Sequence, residues 1–208
     1  MGAQQAFQWA ASHPAEVDAI VALCRHGEDL RPRPRARSKS AISALTADPR
    51  WKGGDYTEPP VDGIKAWSHH WAAWVYSQEW WRTGDVQPQF ATAPKQVHGG
   101  FASAGWMTRN LNDAIQLART WQDHDIAKTP GFDGNIEHAL AAIRVPVLYM
   151  PGATDLYFPL TDAEYERKFL TEATFVPIPS LWGHTAGGGG NPTDAGVHQQ
   201  TDRGVSKP

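Results

Sequence analysis

The sequence predicts an α/β fold, and three observations carry that expectation. A helical pattern at the start runs directly into a short apolar run, VDAIVALC (17–24). Two further apolar runs of strand length, VPVLYM (145–150) and TFVPI (174–178), follow late in the chain. A helical stretch separates them, and helices alternating with buried apolar runs describe a parallel sheet covered by helices.

Taken in order, residues 1–13 read as a helix with Ala3, Phe7, Ala10 and Ala11 on one face. Pro14 stops it. The run 17–24 is expected as a strand buried in a parallel sheet. Residues 25–39 (RHGEDLRPRPRARSK) hold almost no apolar side chain and two Arg-Pro pairs, and read as a basic, disordered linker. From residue 41 to about 144 the chain reads as mostly helical. Within 63–81, Ile64, Trp67, Trp71, Trp74 and Gln78 follow the helical period. Leu111, Ile115 and Ala118 mark a second helix, and 136–143 a third. After the strand at 145–150 come a helix over 164–170 and a strand over 174–178, where Pro177 implies local irregularity. A Gly-rich loop follows Trp182, and the polar tail shows no pattern.

Composition narrows the function. The chain has 208 residues and a net charge of -3, so no bulk basicity points to nucleic acid. The lone cysteine, Cys24, excludes an internal disulfide framework and fits a reducing compartment. No apolar run approaches the roughly 18 residues of a membrane span. The start has neither the basic nor the apolar region of a signal peptide, so the cytoplasm is the expected location. Most of the ten tryptophans fall between Trp51 and Trp121. They read either as packing of the helical region or as an aromatic-lined pocket or subunit interface.

Two strand ends carry the candidate chemistry. PGATDLYFP follows the strand 145–150 and places Asp155 in the loop beyond its carboxyl end, where open α/β sheets put functional groups. IPSLWGHT follows the next strand and places His184 in the corresponding loop. An acid that orients an imidazole, followed along the chain by the histidine that moves the proton, matches the last two members of a Ser–acid–His order. The same residue types also serve as a turn-capping aspartate and a packed loop histidine. Other candidates are weaker. Ser180 lacks a strand-to-helix elbow, His69 and His70 are too close in sequence for a metal pair, and Gly187–Gly190 lacks the Lys-Ser/Thr of a phosphate loop.

The segment MGAQQAFQWAASHP (1–14) resembles the stretch following the nucleophile in the homoserine O-acetyltransferase family, where the elbow reads G-x-S-M-G-x-Q-x. Tyr56-Thr57-Glu58-Pro59-Pro60, Met150-Pro151-Gly152, Asp155-Leu156-Tyr157-Phe158-Pro159 and Trp182-Gly183-His184 are similar to further segments of that family, in family order. The resemblance implies a truncated α/β-hydrolase fold: about three parallel strands, flanking helices and an inserted helical lid. It divides the chain into a core remnant (1–30 and 145–208) and a Trp-rich lid (31–144). It implies Asp155 as triad acid, His184 as triad base and the backbone N–H of Met1 as an oxyanion donor. The implied chemistry is acyl transfer through a serine ester to an amino-acid hydroxyl or to water. The implied partners are a small-molecule acyl donor and acceptor, together with a homodimer formed through the lid. No metal or organic cofactor, no nucleic acid and no membrane is implied; an acyl-CoA donor follows only from the transferase branch.

Departures from the family pattern shape the expectation for this polypeptide. The family's nucleophile sits immediately before the residue matching Met1, so these 208 residues are expected to form an inactive C-terminal fragment. One edge of VDAIVALC is then expected to lack its neighbouring strand. Thr185 stands where homoserine acetyltransferases usually carry an aspartate, which weakens homoserine as substrate. Residues 25–30 and 197–203 do not resemble the family, yet each can be encoded by bases that restore family-like sequence when shifted by one. A frameshift explains both. The alternative function is a non-catalytic chain, either a decayed product or a subunit binding through its Trp-rich lid.

Overall fold

The structure, a computed structural model, describes residues 2–23, 32–83, 110–188, 191 and 194. In chain order the elements are α1 (Gly2–Ser12), β1 (Ile20–Leu23), α2 (Pro32–Thr46), α3 (Val61–Val75), α4 (Gln78–Thr83), α5 (Leu111–Asp123), α6 (Ile136–Ala141), β2 (Val147–Met150), α7 (Leu160–Glu166) and β3 (Ala173–Phe175). Turns of 3-10 helix lie at Pro49–Gly54, Ile126–Lys128 and Gly183–Thr185. The chain divides into two compact units. The first holds Met1–Leu30, Val75–Ser77 and His124–Pro208, and the second holds Arg31–Trp74 and Gln78–Asp123. Residues 124–144, read from the sequence as the end of the lid, fall in the first unit.

The first unit is built on a parallel three-stranded sheet in the order β1-β2-β3. Ile20 pairs with Val147 and Leu23 with Met150, while Val147 pairs with Ala173. Alternation along the strands sends Ile20, Ala22, Val147 and Tyr149 into a core shared with Phe7 and Ala10 of α1, Leu140 of α6, and Ala163 and Leu170. The Phe7 ring meets Tyr149 edge-on at 5.6 Å. The opposite face of β2 places Leu148 and Met150 against Ile178 and Ala186. Burial of these apolar side chains is the main force holding helix to sheet.

Several expectations change here. Among the described residues of the run 17–24 the strand covers Ile20–Leu23, Cys24 lying outside them, and it is not buried on both faces: Val21 is 51% and Leu23 36% exposed. Among the described residues β1 pairs with β2 alone and stands at the edge of the sheet. The helix expected over 164–170 is α7, which starts after Pro159 and ends at Glu166. Its buried side includes Asp162 and Glu166, so the apolar pattern around Phe169 misplaces it. Glu166 is satisfied by the Tyr149 hydroxyl, which donates to Oε2 at 2.7 Å. β3 stops before Pro177, which has no N–H for the ladder; Ile178 then rejoins the sheet as a single bridge to Gly152.

The second unit packs α2, α3 and α5 around Leu45, Trp51, Ile64, Trp67, Leu111 and Ile115. Tyr56 stacks on Trp51 at 5.5 Å, and its oxygen accepts the Leu111 N–H at 2.9 Å, fixing the start of α5. The linker reading fails over 32–39, which form the first half of α2. Pro32 and Pro34 fall in the first turn, whose N–H groups have no intrahelical acceptor to lose. Ser38 is fully buried, and the Arg37 guanidinium lies 5.0 Å from the centre of the Trp74 ring. Residues 25–31, and the tail beyond Asp194, lie outside the described residues. The helix expected over 63–81 is broken at Tyr76 and Ser77 into α3 and α4.

Candidate active site

The chain leaves β2 at Met150 and turns at once. Gly152 bridges to Ile178, and the Asp155 N–H closes the turn on the Gly152 carbonyl at 3.2 Å. A β-carbon at Gly152 would lie 2.9 Å from the Gly183 carbonyl oxygen, so glycine is what lets the two loops approach. The Asp155 side chain is wholly buried. A buried carboxylate must be hydrogen-bonded, and this one is. Oδ1 accepts the N–H groups of Tyr157 at 2.7 Å and Phe158 at 3.2 Å. Oδ2 faces His184 Nδ1 at 2.9 Å.

His184 sits in the 3-10 turn Gly183–Thr185. Asp155 binds it as an acceptor, so Nδ1 carries the proton and Nε2 of the neutral ring presents its lone pair. The ring is 16% exposed, lies 4.4 Å from the Tyr157 ring and 5.6 Å from that of Phe158. Aromatic contact and a charge-assisted hydrogen bond together leave the imidazole little freedom. The arrangement is a histidine held in one tautomer by a buried carboxylate, which leaves Nε2 able to accept a proton.

The structure thus brings Asp155 and His184 together on loops at the carboxyl end of the sheet. Met1, expected as an oxyanion donor, lies outside the described residues. Three serines of the first unit are engaged in local hydrogen bonding. The Ser12 oxygen accepts from Gln8, Ser77 donates to the Leu181 carbonyl at 2.6 Å, and Ser180 Oγ accepts the Trp182 N–H at 3.2 Å. Among the described residues no group of three or more His, Cys, Asp or Glu is placed to hold a metal ion, and no helix is long and apolar enough to cross a membrane. Sequence reading missed the parts of Tyr157, Phe158 and Ser77. The first two lie inside a segment already singled out, but Ser77 is 104 residues from its partner and gives no local signal.

No family model matches the chain. Relatives among curated proteins include a probable esterase of Corynebacterium glutamicum, 26% identical over 186 residues (88% of this chain, 52% of the relative). They also include an ethyl acetate hydrolase of Pseudomonas veronii, 28% identical over 207 residues (97% and 57%). A homoserine O-acetyltransferase of Trichormus variabilis is 27% identical over 194 residues (89% and 52%). The chain therefore spans little more than half the length of each. In three dimensions it superposes on an acetylester hydrolase from Corynebacterium glutamicum with a TM-score of 0.84 at 22% identity, covering 98% of this chain and 58% of that one. On a homoserine O-acetyltransferase from Bacillus anthracis the TM-score is 0.79 at 23% identity, covering 97% and 56%. The parallel sheet with its flanking helices is accordingly that of the α/β-hydrolase fold, and the relatives of this chain include esterases and homoserine O-acetyltransferases.

Proposed function

We propose that Asp155 and His184 are the acid and general base of an acyl-transfer site that acts on small esters through a serine ester. The observation that supports this most directly is the 2.9 Å contact between His184 Nδ1 and the wholly buried Asp155 carboxylate. It orients Nε2 to take the proton of a serine hydroxyl attacking the ester carbonyl and to return it to the departing alcohol. Water then attacks the acyl-serine with the same histidine as base. Hydrolysis is favoured over transfer because two of the relatives described are esterases and Thr185 follows the histidine. The homoserine O-acetyltransferase relatives support a second reading, in which an amino-acid hydroxyl replaces water; product analysis with and without homoserine separates the two.

The nucleophile of this reaction is proposed to be none of Ser12, Ser77 and Ser180, the described serines of the first unit, whose hydroxyls are engaged in other hydrogen bonds. The chain by itself is proposed to be inactive. Labelling by a fluorophosphonate at one serine, lost in His184→Ala, would contradict this. The acid and base roles are tested in a chimera, with these residues replacing the matched segment of the Pseudomonas veronii hydrolase. The chimera is expected to hydrolyse p-nitrophenyl acetate. Asp155→Asn and His184→Ala should each lower kcat by about 10³-fold or more. A folded chimera that is inactive, or active but indifferent to both changes, overturns the assignment.

A further inference from the structure

This inference rests on Asp155 and His184 being acid and base, and it concerns what holds the base in place. Val75–Ser77 belong to the first unit although the residues on both sides belong to the second. Tyr76 and Ser77 interrupt the helical run between α3 and α4. Ser77 is 2% exposed, and its hydroxyl donates to the Leu181 carbonyl, three residues before His184, at 2.6 Å. Two residues further on, Gly183 adopts φ +58° and passes so near this stretch that a β-carbon would lie 2.6 Å from the Val75 carbonyl oxygen and 2.9 Å from the Ser77 nitrogen. The Tyr76 ring meets Trp182 edge-on at 6.2 Å. From the other side, the Thr154 hydroxyl donates to the Ser180 carbonyl at 2.7 Å. Residues 180–184 are thus held by Thr154, beside Asp155, and by Ser77.

We propose that Ser77 is a positioning residue for His184. It acts through the Leu181 carbonyl and the close passage at Gly183, which fix the backbone from which the imidazole reaches Asp155. Without the hydroxyl, a half-buried carbonyl loses this donor, and the loop relaxes to recover one from water. Small displacements of this kind are enough to misalign an acid–base pair.

The test uses the 208-residue chain and two readouts. Hydrogen exchange by mass spectrometry in dilute solution follows the Thr185 and Ala186 amides, which bond to the Trp182 and Gly183 carbonyls. Ser77→Ala should speed their exchange by about tenfold, and Ser77→Thr, which keeps the hydroxyl, should restore it. Proton NMR follows the His184 Nδ1 proton, identified by its disappearance in Asp155→Asn. That signal should weaken or broaden in Ser77→Ala and persist in Ser77→Thr. If Ser77→Ala does not fold, Ser77→Cys, nearly isosteric but a weak donor, takes its place with the same expected loss. An unaltered imidazole proton and unchanged exchange in the variant lacking the hydroxyl overturn the positioning role alone. Absence of any Asp155-dependent imidazole proton in the parent chain overturns the acid–base pairing and this role with it.

Discussion

Tyr149 and Glu166 put a phenol and a carboxylate into contact in the interior of the first unit, both fully buried. Burial first, and then the negative charge of Glu166, hold the Tyr149 hydroxyl well above its ordinary pKa, so it remains a donor throughout the working range. The bond therefore contributes through desolvation: neither group has water to fall back on. Tyr149→Phe removes the donor and keeps the ring that packs on Phe7 and Phe175. It should destabilise the chain by about 1–3 kcal/mol in denaturant unfolding. Glu166→Gln should cost less, because the amide oxygen still accepts from the phenol. Equal stability of Tyr149→Phe and the parent would show that the pair contributes nothing net.

At the scale of elements, the joint between α2 and α3 turns on Asp48. Its side chain is almost wholly buried, and Oδ1 accepts the Arg50 N–H at 2.9 Å, capping the 3-10 turn Pro49–Gly54. Oδ2 accepts the N–H groups of Asp62 and Gly63, both at 3.0 Å, in the first turn of α3. One carboxylate thus satisfies orphan donors at two helical starts, where negative charge is favoured. Gly63 is required by the close passage of the Leu45 carbonyl, which a β-carbon would strike. The Arg50 guanidinium bonds both Asp48 oxygens at 3.1 Å and, with the backbone N–H donors, holds the Asp48 carboxyl well below the usual carboxylate range. The sign follows from linkage: a depressed folded pKa contributes stability that is complete above the unfolded value and lost as pH falls toward the folded one. Asp48→Asn should therefore lower Tm at pH 7, and the gap from the parent should narrow as pH drops below about 4. A gap that stays constant down to pH 2 would assign the effect to packing instead.

For the whole molecule, the open question is the edge of the sheet. β1 pairs only with β2 among the described residues, and Val21 and Leu23 point their side chains out, 51% and 36% exposed. In register beside them, Leu148 and Met150 are covered by Ile178 and Ala186, so the uncovered apolar surface continues a buried one. Unpaired strand N–H and C=O groups next to exposed aliphatic side chains recruit further strands. The isolated chain should therefore self-associate as its concentration rises in sedimentation velocity. The double variant Val21→Lys, Leu23→Lys should shift the distribution toward monomer, since lysines block edge pairing while leaving the strand's inner face intact. A parent chain that stays monomeric at high concentration would mean the edge is already protected.

The three strands and the loops bearing Asp155 and His184 were legible because their signals lie in short segments and in chain order. Short apolar runs and the turn residues after each strand are read from neighbouring residues, and an acid preceding a histidine, 29 positions apart here, is read from their order along the chain. The resemblance carried by Asp155-Leu156-Tyr157-Phe158-Pro159 and Trp182-Gly183-His184 sharpened that reading. What escaped the sequence depends on contacts between distant residues. A basic, proline-bearing stretch becomes the first half of α2, where Arg37 lies over the Trp74 ring. α7 turns polar residues inward because Tyr149 meets Glu166 there. The helix through 63–81 breaks at Ser77, whose hydroxyl bonds a carbonyl 104 residues away. The sequence alone determined the fold class and singled out Asp155 and His184 as candidates for acid–base chemistry. Only the tertiary structure decided how they are held, because burial and hydrogen-bond partners far apart in the chain exist only once it is folded.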